Sequence, residues 1–324
     1  MSKRIAGKMN GKQTASTLLM IEPVAFGFNR QTAENNFFQR EQHGSAEAVR
    51  DEALREFNRM TALLKQKDID VLIVRDTAEP HTPDSIFPNN WISFHSDGEV
   101  VLYPMFAENR RLERRPDILA LLEEKGFGIR NIRDYSPAEK ENRFLEGTGS
   151  LVLDRENRTA YAALSERTDK TLFLKYCEDL RFTPCCFTAN QTVGDKRLPV
   201  YHTNVMMCVA DRYAVVCLDS VDDKAERRGI VRSLSAGGKE IIEITEVQMA
   251  HFAGNMLQVE NRAGEKWLVM SETAAGSLSG NQIERLRAYN GILRIPVPTI
   301  EQQGGGSVRC MIAEIFLPQK NQLK

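Results

Sequence analysis

Five short polar segments hold the side chains of this sequence that could do chemistry. Cys310 follows three glycines, Gly304–Gly306, and opens the run Cys310–Leu317, whose alternation predicts a strand. Glycines let a backbone approach a ligand closely, and a thiol beside such a loop can serve as a nucleophile when a base is near. A small core cysteine after an ordinary turn is the alternative that this spacing leaves open. His202, ahead of Thr203 and Asn204, is either a proton carrier or a satisfied core histidine. Glu146, ahead of Gly147-Thr148-Gly149, is either a solvated turn residue or a buried carboxylate. Asn89 and Asn90 form turns readily through bonds to their own backbone, and Asp84 could simply start the turn Asp84-Ser85. Among the other histidines, His251 is the best second candidate for acid/base work; His43 and His81 fall in loops and His95 at a hairpin tip.

The elements that would position these residues recur. Hairpins are expected over 91–104, 150–164, 205–218 and 256–270, with a half-hairpin over 310–317. Helices are expected over 46–64, 109–124, 169–180, 223–236 and 279–290, and single strands over 70–74, 129–132, 185–187, 240–244 and 292–296. First hairpin strands begin near 92, 151, 205, 256 and 310, the regular period of a repeat architecture. The strand 17–21 could supply the missing partner of the last hairpin and close a ring, which removes exposed sheet edges. Each polar segment lies just before a first hairpin strand. In a closed repeat, equivalent positions meet at one end of the axis, so amides, a carboxylate, an imidazole and a thiol would line one pocket. Residues 1–16 are polar and small and are expected to be a frayed terminus, with 17–324 a single domain. The segment 24–45 has no period and reads as a long loop of the kind that forms lids.

Composition narrows the function. The 324 residues include 43 basic and 44 acidic side chains, and without a basic block neither nucleic acid nor an anionic membrane surface is an expected partner. No apolar run approaches the roughly 20 residues of a membrane span, and no apolar segment follows the cations of the first residues, so no secretory signal is expected. The six cysteines at 177, 185, 186, 208, 217 and 310 have no zinc-type spacing. Free thiols in a cytoplasmic protein are the expectation.

Four motifs in order, FPNNW (87–91), EGTGS (146–150), YHTNV (201–205) and GGGSVRC (304–310), resemble the guanidine-modifying, amidinotransferase-related superfamily. The resemblance runs from about residue 17 to 317 and is strongest to the branch of citrulline hydrolases, dimethylarginine hydrolases and arginine deiminases. It implies a five-bladed α/β propeller of ββαβ-type repeats, the pentein fold, with one axial pocket. It also implies Cys310 as nucleophile, His202 as general acid/base and Glu146 as the carboxylate that orients the imidazole or grips substrate nitrogen. Asn90 and Asn204 stand where arginine-type relatives carry aspartates. A cationic guanidinium is best held by carboxylates, whereas an asparagine amide can answer both the carbonyl and the N–H groups of a neutral ureido group. Asn89, Asn90, Asp84, Asn204 and Arg309 are the expected substrate-binding residues, with Arg30, Arg143 and Arg309 as candidates for the α-carboxylate.

The expected activity is therefore hydrolysis of a linear C–N bond in a ureido or guanidino amino acid, foremost citrulline to ornithine, carbon dioxide and ammonia. An amidinotransferase, an arginine or dimethylarginine hydrolase, and a non-catalytic metabolite-binding propeller are the alternatives. No metal or organic cofactor is expected, the partner is a small-molecule amino acid, and a homo-oligomer is compatible with the sequence.

Overall fold

Four times along the chain a short antiparallel pair of strands is followed by a helix and a third strand that runs parallel to the second. The computed structural model describes residues 11–41 and 44–322. The four units are β3 (Ile92–Phe94), β4 (Glu99–Leu102) and β5 (Asn131–Asp134); β6 (Val152–Asp154), β7 (Thr159–Ala163) and β8 (Thr183–Phe187); β11 (Met207–Val209), β12 (Tyr213–Val216) and β13 (Glu240–Glu243); and β14 (Leu257–Glu260), β15 (Lys266–Ser271) and β16 (Gly291–Ile295). In each, the first two strands pair antiparallel and the last two parallel.

The fifth sheet draws on both ends of the chain. β1 (Thr17–Glu22) runs parallel to β2 (Asp70–Arg75) and antiparallel to β17 (Ala313–Glu314), with Leu18 opposite Glu314 and Leu19 opposite Ala313. The strand expected over 310–317 is thus only two residues long, because Ser307–Ile312 spends its backbone bonds in turns (Cys310 N to Ser307 O, 2.9 Å; Ile312 N to Arg309 O, 3.3 Å). A hairpin of β9 (Asn190–Val193) and β10 (Lys196–Pro199) stands outside the repeat and was not expected.

Helices cover the sheets through apolar stripes. Ala46–Lys65 is capped by Ser45, whose side chain accepts from Ala48 N at 3.1 Å, and buries Ala53, Phe57, Met60 and Leu64 at three- and four-residue steps. These pack with Leu18 and Met20 of β1, and each large apolar side chain so buried contributes about 1.5–3 kcal/mol. The helix expected over 109–124 is split into Glu108–Arg111 and Pro116–Glu124. Pro116 has no N–H to give and forces Arg115 into an extended conformation, so it starts a new helix rather than continuing one.

The frayed terminus expected over 1–16 lies outside the described residues for 1–10 and is corrected for 11–16. Gln13, Thr14 and Ala15 are buried, and Gln13 Nε2 donates to Leu153 O (2.9 Å) and Val209 O (3.0 Å) while its Oε1 accepts from Arg155 N (2.7 Å). One glutamine thereby ties the terminal segment to the inner strands of two different sheets.

Candidate active site

Every polar segment forms a tight turn at the start of an inner strand: Pro88–Asn90, Gly147–Ser150, Thr203–Met206, then the turns over 252–255 and 307–312. The turns are stitched to one another. Thr148 Oγ1 donates to Asn89 O (3.4 Å), Thr203 Oγ1 to Ser150 O (2.6 Å), and Asn255 Nδ2 to Asn204 O (3.1 Å), while Arg309 N donates to Asn255 Oδ1 (3.1 Å). Gly147 makes the closest approach possible: its φ is +44°, and a Cβ there would stand 2.2 Å from Asn89 O. Segments more than fifty residues apart in sequence thus form one polar patch.

Glu146 and His202 are paired within it. Both are buried, at 0% and 2% exposure, and His202 Nε2 lies 2.7 Å from Glu146 Oε2. Oε1 of Glu146 accepts from Phe106 N at 2.9 Å, and Arg167 Nη1 stands 3.5 Å from Oε2. Burial works to raise the Glu146 carboxyl, but the Arg167 charge, the His202 bond and Arg110 outweigh it and bring it down to about 2. Burial takes His202 the other way, down to about 4, overriding the pull of Glu146, with Arg167 and Arg110 adding to the fall. Near neutral pH the site therefore holds an ionised Glu146 and a neutral imidazole. Because a carboxylate only accepts, the imidazole proton sits on Nε2 and Nδ1 carries the lone pair.

Cys310 is 3% exposed at the edge of the apolar cluster that also contains Leu18 and Phe57. Its Sγ lies 3.5 Å from Asn204 Nδ2 and 3.2 Å from Asn255 Nδ2. An imidazolium at His202 would be the usual kind of neighbour that favours a thiolate. Burial disfavours that charge, and two amide N–H donors face the sulfur instead, able to offset negative charge where bulk water does not reach. The glycine loop before Cys310 is held by Tyr201, whose hydroxyl donates to Gly305 O at 2.7 Å, and Gly305 takes φ +63°.

A small recess is lined by Asp84, Asn90, Arg110, Arg167, His202 and Cys310, among others. Two lining atoms are buried without a protein partner, Asp84 Oδ1 and Asn90 Nδ2. Leaving such groups unpaired costs about 1–3 kcal/mol each, so a ligand that pairs them gains that much. Asp84 Oδ2 accepts from Asn29 (2.7 Å) and Thr32 (3.2 Å), and burial pushes this carboxyl up against the pull of Arg110.

Not every expected residue joins the cavity. Asn89 is fully buried, lacks side-chain partners and is not among the lining residues. Arg309 turns away: its Nη1 donates to Ile312 O (2.9 Å), Nη2 pairs with Glu314 Oε2 (3.0 Å), and it lines a separate cavity with Gln13 and Cys208. Arg30 and Arg143 pair with Glu41 and Glu141 near the surface, and exposed His251 bonds Val247 O at 2.8 Å. His43 lies outside the described residues.

The cations at the cavity are two residues the sequence did not single out. Arg110 is buried between Asn90 Oδ1 (2.7 Å) and Glu113 (2.9 Å), and Arg167 between Glu146, Asn35 Oδ1 (2.8 Å) and Thr32 O (2.7 Å). Neither belongs to a motif; only the fold brings them in. The segment 24–41 covers this end, with Asn36 Nδ2 3.4 Å from Gly304 O, Gln39 Nε2 donating to Gln303 O (3.0 Å) and Arg40 N to Gln302 O (2.7 Å). Among the described residues no cluster of three metal-ligating side chains occurs, and no helix is long and apolar enough to cross a membrane.

Comparison with known proteins adds the following. A family model described as N,N dimethylarginine dimethylhydrolase, eukaryotic, matches residues 22–317. No curated protein sequence matches. The N-terminal domain of ArgZ, an arginine dihydrolase from the ornithine-ammonia cycle in cyanobacteria, was solved bound to substrate; it is 19% identical, with 93% of this chain and 99% of that one covered and a TM-score of 0.68. Against the longer ArgZ chain the match covers 94% of this chain and 41% of that one, at 19% identity and a TM-score of 0.69. DDAH from Pseudomonas aeruginosa, complexed with citrulline, is 15% identical over 93% of this chain and 100% of that one, with a TM-score of 0.63. At these identities the likeness establishes a shared α/β fold, that of pentein-type enzymes.

Proposed function

Since the chain belongs to the N,N dimethylarginine dimethylhydrolase family, we propose that it is a cysteine hydrolase of a ureido or guanidino amino acid, with citrulline the leading substrate. The observation that carries this reading is the 2.7 Å contact from Glu146 to His202, which lines the pocket together with Cys310. In this reading the five three-stranded sheets are blades of a propeller, residues 17–324 form one catalytic domain, and the pocket lies on its axis. Six free cysteines suit a cytoplasmic setting.

Cys310, His202 and Glu146 take the catalytic roles. Cys310 Sγ attacks the ureido carbon while His202 Nδ1 accepts the thiol proton. The C–N bond to the ornithine side chain then breaks, and His202 returns the proton to the departing amine. The S-carbamoyl intermediate is attacked by water, whose proton passes to Nδ1 and on to the sulfur as it leaves. Carbamic acid then falls apart to carbon dioxide and ammonia. Glu146 fixes the tautomer throughout. Asn204 and Asn255 face the sulfur, Asn90 and Asp84 offer a donor and an acceptor to the ureido group, and Arg110 and Arg167 supply the charge for an α-carboxylate. Asn89 and Arg309 act from outside the pocket, shaping its walls.

A guanidino substrate is the second reading, favoured by the partnerless Asp84 Oδ1, which suits a cation. Incubation with citrulline, arginine and dimethylarginine in parallel, following ornithine and ammonia, decides between them. Cys310→Ser is expected to lose at least about a thousandfold in turnover; near-normal turnover in that variant would end the covalent mechanism.

A further inference from the structure

Glu113 is buried, at 3% exposure, and the chemistry above makes no use of it. Its two oxygens accept from Arg110 Nε and Nη2, each at 2.9 Å. The same guanidinium gives Nη1 to Asn90 Oδ1 at 2.7 Å, while Nη2 also faces Phe87 O at 3.2 Å. A guanidinium only donates, so the Asn90 atom that meets it must be the carbonyl oxygen. The amide nitrogen is thereby turned away from Arg110, and it is the atom left without a protein partner. An unclamped asparagine could turn by half a revolution and offer either atom.

We infer that Glu113 and Arg110 are positioning residues that hold the Asn90 amide with its N–H₂ group toward the substrate, favouring a neutral ureido oxygen over a guanidinium, which has no acceptor. The inference rests on the reading that a ureido or guanidino group occupies this cavity. Lysine at 110 could not replace the arginine, because a single ammonium cannot grip Glu113 with two parallel bonds and reach Asn90 as well. The charged groups facing Glu113 are Arg110, Asp84 and Glu146. Burial pushes its carboxyl up to about 7 against the pull of Arg110, and the two neighbouring carboxylates add to the rise. Acidification through that range protonates Glu113 and releases one arm of the clamp.

The test is the ratio of kcat/KM for citrulline to that for arginine, followed from about pH 5.5 to 8.5 in the wild type, Glu113→Gln, Arg110→Lys and Asn90→Asp. In Asn90→Asp one oxygen still meets Arg110 and the other faces the ligand as an acceptor. That change should move the ratio toward arginine by about tenfold or more. Glu113→Gln should move it the same way by less and flatten its pH dependence, while the wild-type ratio drifts toward arginine as pH falls through 7. Folded Glu113→Gln and Arg110→Lys proteins with an unchanged ratio and pH profile would overturn the clamp and leave the hydrolase reading intact. If those variants do not fold, the wild type decides, since a ratio flat through pH 7 overturns the inference. A wild type inert toward both compounds would bring down the functional reading, and the clamp with it.

Discussion

The two sides of Cys310 differ in how their polar groups are satisfied. On one side lie Asp84, Asn90, Arg110, Arg167 and His202, where Asp84 Oδ1 and Asn90 Nδ2 have no protein partner. On the other lie Gln13, Arg309 and Glu314, also buried, where the glutamine makes three bonds and the arginine is locked to Glu314 and Ile312 O. Buried polarity alone therefore does not mark a site. Completed networks hold inner strands together, whereas incomplete ones leave room for a ligand to finish them.

The comparison is broken most severely at the first side. His202→Gln should lower kcat by about 10²–10⁴-fold, the usual worth of a positioned acid/base, with the melting temperature little changed; a loss under tenfold would mean the imidazole only fills space. The opposite side should answer in stability. Arg309→Met leaves the Glu314 carboxylate buried without its counter-ion and should cost about 3–5 kcal/mol in urea unfolding, with KM in the folded fraction unaltered. If KM rose instead, Arg309 would have a part in substrate binding after all. Gln13→Ala should cost less, about 1–3 kcal/mol, through the two carbonyls it leaves unpaired.

Acid sharpens the contrast as well. The folded-state pKa of His202 is depressed from 6.5 to about 4, so the unfolded chain takes up its proton first as pH falls. The stability from this group is full above pH 6.5 and is lost on the way down to 4. The Glu146 carboxyl, depressed from 4.5 to about 2, loses its share between those values. Unfolding free energy should therefore rise from pH 4 to 6.5, and His202→Gln should flatten that slope. An identical slope in the variant would place the titration elsewhere.

Much of the frame was legible because it is local. Hairpin turns, helix stripes and their regular spacing are written in neighbouring residues, and the pairing of the 17–22 strand with the last half-hairpin followed from an unfilled edge. The motifs likewise pointed to Cys310, His202, Glu146, Asp84 and Asn90, which the fold brings near one another. What escaped was tertiary. Arg110 and Arg167 look like any charged residue of a helix or connection until the fold buries them beside carboxylates. Arg309 lies next to the cysteine in sequence, yet within the turn over 307–312 its guanidinium goes to Ile312 O and Glu314. Pro116 was the missed local signal, and it split a helix.

The sheet shared by the two ends of the chain has a consequence for assembly. Its β17 strand follows Cys310 by only two residues, and its partner β1 is made roughly three hundred residues earlier in synthesis. A growing polypeptide therefore carries four finished units and a β1–β2 pair with one edge open until residues 313 and 314 emerge. Only when that edge closes can Cys310 take its seat, so shorter chains should be chemically silent.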